Sequence, residues 1–155
     1  MRYLLIFLLF CLSFKKDEAP KIDIELKPYV KEFLREAEHW RIPTDHYACI
    51  KKIAFVDEIP RHEKDSIVGQ YDPVDEVIYI KNAYKDPRYV RLVVFHELGH
   101  AVFNLNHVKS KLSIMNPYLK YEFIEVYYNE WDYLVQDMYL DALRLENYRR
   151  LNENK

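Results

Sequence analysis

Glycine is nearly missing from this chain: Gly69 and Gly99 are the only two among 155 residues. Few positions therefore have free access to positive φ, and the other tight turns are expected to rely on Asn, Asp and Pro. Cysteine is as scarce, with only Cys11 and Cys49. If Cys11 belongs to a leader, Cys49 is alone in the mature chain and no intramolecular disulfide forms, so the fold must hold by its core. Excess positive charge is also lacking: 23 basic against 25 acidic residues leave a formal charge of -2. With no basic run and no base-stacking module, nucleic acid is not an expected partner. No apolar run reaches the roughly 20 residues that a membrane span requires. No internal repeat or low-complexity stretch is evident. What remains is a chain that is 50% hydrophobic, long enough for one core and too short for two ordinary domains.

The first residues read as an address. "MRYLLIFLLFCLSFKKDEAP" places one arginine before an apolar run from Tyr3 to Leu12, the length of a signal-peptide core. Within it, "LLFC" resembles a loose bacterial lipobox, in which the cysteine is lipidated, although Phe10 stands where a small residue is usual. The expectation is an exported protein, either secreted or held at the bacterial cell envelope as a lipoprotein through Cys11. Residues 1–20 form the signal and polar linker, and residues 21–155 form a single domain.

Periodicity places the elements. Pro28 sits where a first helical turn tolerates it, and Val30, Phe33, Leu34, Ala37 and Trp40 follow at helical spacing. "KKIAFVDEI" reads as a strand, and "SIVGQYDPVDEVIYIK" as two short strands joined by an Asp-Pro turn. Asp86 and Pro87 start a helix that carries Val90, Val93, Val94, Leu98, Ala101 and Val102 along one side. Residues 121–150 read as one long helix, with Phe123, Tyr127, Trp131, Leu134, Met138, Ala142 and Leu145 as its stripe.

The chemistry lies in "FHELGHAVFNLNH", residues 95–107. His96 and His100 are one helical turn apart, so both imidazoles reach one ion from the same face. Glu97 lies beside that ion without being a ligand. Zinc held in this way lowers the pKa of a bound water to about 7, and a neighbouring carboxylate is then fitted to act as general base.

"HELGHAVFNLNH" followed by "SIMNP" resembles the metzincin clan of zinc endopeptidases, and Met115 followed two residues later by Pro117 is most similar to the matrix-metalloproteinase branch. The resemblance is specific over residues 95–117. It implies that His96, His100 and His107 bind Zn2+, that Glu97 is the catalytic base, and that Met115 forms a methionine turn beneath the metal. It also implies an α/β fold: a small domain with a short, mixed, twisted sheet packed on an active-site helix and a long C-terminal helix. In that family the strand before the last inner strand is an exposed edge to which extended peptide adds. Here that strand would be residues 66–71, with Val68, Gly69 and Gln70 binding substrate. The implied partner is a protein or peptide substrate, and the implied assembly a monomer.

One departure stands out. The family pattern has a glycine as the third of five residues between the second and third histidines, whereas six residues separate His100 from His107. Phe103 occupies the glycine's place, and Asn104, a type that tolerates the left-handed conformation, is read as the helix stop. His107 then keeps the family's three-residue offset from the stop. Asn106 holds the formal ligand position, but an amide is a poor zinc ligand beside an imidazole. An alternative, gluzincin-type site would take its third ligand from Glu122, Glu125 or Glu130. A non-enzymatic alternative is a zinc-stabilised binding domain, which would have no use for Glu97. His39, His46 and His62 fall outside any spacing pattern, and Tyr118 is read as packing at a helix entrance.

Overall fold

The computed structural model describes residues 19–60, 67–109 and 112–153. The expected signal segment with Cys11, together with Ser66 and His62, lies outside the described residues. Strand β1 (Lys21–Ile22) leads to helix α1 (Lys27–His39), a 3₁₀ turn (Asp45–Cys49) and strand β2 (Lys52–Val56). Strands β3 (Gly69–Asp72) and β4 (Val77–Lys81) form the expected hairpin. Helix α2 (Pro87–Phe103), a 3₁₀ turn (Tyr121–Phe123), and helices α3 (Ile124–Asn129) and α4 (Trp131–Glu153) complete the described chain. It is a mixed α/β fold with sheet order β1-β2-β4-β3. β1, β2 and β4 are parallel, and β3 runs antiparallel along the edge. Among the described residues no helix is long and apolar enough to cross a membrane.

Local chemistry explains the hairpin and the central helix. Asp72 Oδ1 accepts from the amides of Val74 (2.9 Å) and Asp75 (3.1 Å), closing the Asp-Pro turn. Asp86 caps α2 by accepting from the Arg88 amide at 2.9 Å, with Pro87 in the first turn. At the other end Asn104 is left-handed (φ 56°, ψ 39°). Its amide bonds to the His100 carbonyl at 3.1 Å and that of Leu105 to Gly99 at 3.1 Å, which stops the helix. Neither glycine has positive φ; Arg41, Glu76 and Asn104 do.

Two expectations need correction. α2 does not bury one stripe: Tyr89, Leu92, Phe95, Leu98 and Phe103 are buried around its circumference. The sheet lies on one side and the helices on the other, so the helix forms the centre of the core. Phe95 meets Phe33 of α1 and Trp131 of α4 with ring centroids 5.4 and 5.0 Å apart, and Tyr139 donates to the Phe33 carbonyl at 2.6 Å. Second, the C-terminal helix is not continuous. It breaks at Glu130 (φ -101°, ψ 15°). Unbroken, 30 residues would extend about 45 Å, whereas the bend keeps Ile124 and Tyr127 on the core together with Trp131, Leu134 and Met138. Phe123, expected in the buried stripe, is 48% exposed. β1 opens the domain directly after the expected linker. Its place is set by pairing with β2, through Lys21 to Lys52 and Ile22 to Ile53.

Candidate metal centre and cleft

α2 presents His96 and His100 on adjacent turns, and the left-handed stop at Asn104 swings the chain back so that His107 joins them. The three Nε2 atoms are 3.1 Å (His96 to His100), 3.1 Å (His100 to His107) and 3.3 Å (His96 to His107) apart. These three residues lie close enough to hold one metal ion, and among the described residues they are the only such cluster. Glu122, Glu125 and Glu130 are not part of it.

The tautomers follow from two backbone carbonyls. His96 Nδ1 donates to the Ile114 carbonyl at 2.6 Å, and His100 Nδ1 donates to the Leu105 carbonyl at 2.7 Å. Both Nε2 atoms are therefore bare lone pairs that face each other at 3.1 Å with no proton between them. Such an arrangement repels unless a cation sits among the nitrogens. Two bonds of about 2.0–2.1 Å at a tetrahedral angle would place their nitrogens about 3.3 Å apart, close to what is observed. Burial pulls the pKa of His96 down to about 3, helped by His100 and His107 and opposed by the Ile114 carbonyl. Burial also lowers that of His100. Both imidazoles are thus neutral at pH 7, as ligands must be.

Residues 113–118 support this arrangement. Ser113 Oγ accepts from the Met115 amide at 3.1 Å, and Asn116 Oδ1 accepts from the Tyr118 amide at 2.8 Å. The Ile114 carbonyl holds His96, while the Met115 carbonyl accepts from the Val108 amide at 2.8 Å, next to His107. The buried Met115 side chain packs against Gly99.

Glu97 is 5% exposed. Its Oε2 accepts from the Tyr71 amide at 2.8 Å. Burial raises the carboxyl to about 8, and this one amide opposes the rise. A cleft of about 570 Å³ opens above, lined by Val68, Gly69 and Gln70 of the edge segment, by Glu97 and the histidines, and by residues 117–120 opposite. Tyr89 of α2 donates to the Leu119 carbonyl and ties that far wall to the core.

Two expectations about the cleft change. Tyr118 does not pack at a helix entrance; it is 75% exposed and stands on the cleft rim. Val68 and Gln70, expected with Gly69 to bind substrate along this edge, also do not turn their amides outward. The Lys81 amide bonds to the Val68 carbonyl at 2.8 Å, and Gly69 faces Ile80. Antiparallel alternation then turns the groups of Val68 and Gln70 toward β4, and those of Gly69 and Tyr71 outward. His39 and His46 lie away from the cluster.

The carbonyls of Leu105 and Ile114 and the amide of Tyr71 are site groups that residue types cannot reveal, because every residue carries them. Tyr89 could have been suspected only as a buried tyrosine in need of a partner. Comparison of the chain with protein-family models, with curated proteins and with solved structures finds no match, so function has to be read from the geometry of the site itself.

Proposed function

We propose that the protein is a zinc-dependent endopeptidase of metzincin type, exported from the cell through residues 1–20. What supports this most is the convergence of three imidazole Nε2 atoms beside a buried carboxylate, on the floor of a cleft bordered by an edge strand. His96, His100 and His107 would hold the zinc, which when bound would supply Lewis acidity, lowering the pKa of a bound water to about 7 and polarising a carbonyl. A structural zinc is normally closed by a fourth protein ligand, whereas among the described residues the cluster has three members and one of them, His107, is exposed.

Glu97 takes the proton that water gives up as it attacks the peptide carbonyl, and returns it to the departing amine. Burial suits the group to that work: a carboxyl raised toward neutrality accepts a proton more readily than a solvated one, although a dication at the imidazoles lowers it again. Oε2 is committed to the Tyr71 amide, which leaves Oε1 to carry the proton. An extended peptide lies along β3, and residues 117–120 form the opposite wall.

The test is Glu97→Gln. The variant should retain one zinc per chain and lose peptide hydrolysis by roughly 10²- to 10⁴-fold. Full activity would remove the mechanism. A wild-type chain that binds zinc but cleaves no peptide would favour a zinc-stabilised binding domain.

A further inference from the structure

Glu97 and β3 are joined at two points that zinc chemistry does not require. The first is the hydrogen bond from the Tyr71 amide to Oε2 at 2.8 Å. The second is Gly69. A β-carbon there would lie 2.7 Å from Glu97 Oε1, 3.0 Å from its Cγ and 2.5 Å from Val93 Cγ1. Gly69 does not have positive φ, so no turn demands glycine at this position. The space where its side chain would stand is filled by Glu97 and Val93.

We propose that the edge strand is the positioning device for Glu97: the Tyr71 amide fixes one carboxylate oxygen, and the missing side chain of Gly69 admits the other. The Tyr71 amide faces out from the β3–β4 ladder and is free to be spent this way. A carboxylate with one oxygen fixed has one remaining orientation for the other, so the proton acceptor is pre-set before substrate arrives. The same bond uses an outward donor that an added peptide strand would otherwise take. Glu97 therefore ends the recognition ladder at Tyr71. The catalytic consequence rests on the peptidase reading; the structural one does not.

Two measurements on the zinc-loaded full-length chain test this. In hydrogen exchange followed by NMR, Glu97→Ala should speed exchange of the Tyr71 amide at least about tenfold, with the ladder amides of Gln70 and Asp72 unchanged. No change at Tyr71 overturns the proposal. This arm needs no turnover, so it decides the matter even if the chain proves not to be a peptidase.

In kinetics, Gly69→Ala should keep its zinc and lower kcat by about 10- to 100-fold with little change in KM, as expected when an acceptor is moved. The double variant Gly69→Ala, Val93→Ala removes the clash with Val93 and leaves the one with Glu97, so kcat should stay low. Recovery of kcat in the double variant would show that Gly69 serves packing alone. A rise in KM with kcat intact would assign the position to substrate binding. Either result overturns the proposal.

Discussion

The sulfur of Met115 lies 2.7 Å from where a β-carbon on residue 99 would stand, so Gly99 and Met115 occupy one packing space between them. With Gly69 under Glu97, this accounts for both glycines of the chain, and both accounts concern contact rather than φ.

Gly99→Ala should therefore push Met115 and the segment that carries it. We expect a loss of about 1–3 kcal/mol in unfolding free energy from overpacking. Zinc should also bind more weakly, because the adjacent Ile114 carbonyl orients His96. Urea titration and a chelator competition would measure both. Met115→Leu should cost less than 1.5 kcal/mol. Unchanged zinc affinity in Gly99→Ala would break the link between the Met115 packing and the ligands.

His107→Ala should reduce zinc affinity by at least about 10-fold, as the loss of one of three ligands requires. Alanine at Glu122, Glu125 or Glu130 should leave the metal in place. Glu125 pairs with Arg88 at 2.7 Å in solvent, a contact worth at most about 1 kcal/mol. Metal analysis of the purified variants separates the two sets. A glutamate variant that loses zinc while His107→Ala keeps it would reinstate the gluzincin alternative.

The metal-free chain should have a stability optimum in mildly acidic solution. The folded His96 holds its proton only below about 3 against an ordinary 6.5. The unfolded chain thus binds more protons in that range, and stability falls as pH drops through it. Glu97 has the opposite sign: its folded value of about 8 against 4.5 means that stability falls as pH rises between those values. The two slopes, each up to about 1.4 kcal/mol per pH unit, oppose each other between roughly 4.5 and 6.5. Urea midpoints measured in chelator across pH 3–9 should peak there. A midpoint that climbs steadily to pH 8 would show that Glu97 is not buried as a proton acceptor.

How much of this was legible beforehand depended on how local each signal is. The hairpin, the Asp86 cap and the left-handed stop at Asn104 are each specified by a few adjacent residues, and each appears where the residue types place it. The three histidines come together through that stop, which turns the chain back and brings His107 to the two on α2. The bend at Glu130 and the burial of α2 on all sides depend on what packs against them, which a periodicity count does not contain. β1 is two residues long and exists only by pairing with β2. That Glu97 and Val93 fill the space beside Gly69 is tertiary information.

If a peptide adds to β3 as proposed, the outward groups left on the strand define how it binds. With the Tyr71 amide held by Glu97, the edge offers the Gly69 amide and the carbonyls of Gly69 and Tyr71. An added strand can thus donate two amides and accept one. Recognition through main-chain bonds favours extended, unstructured substrates with modest side-chain selectivity. It also makes a sharp prediction for a peptide N-methylated at one backbone position at a time. Methylation should raise KM by about 5- to 10-fold at the two donating amides, roughly 1 kcal/mol for each lost bond, and have little effect at the residue between them, whose amide faces away. Zinc content is untouched, since the change is in the substrate. A scan with no sensitive position, or one equally sensitive at every position, would show that the peptide does not lie along this strand.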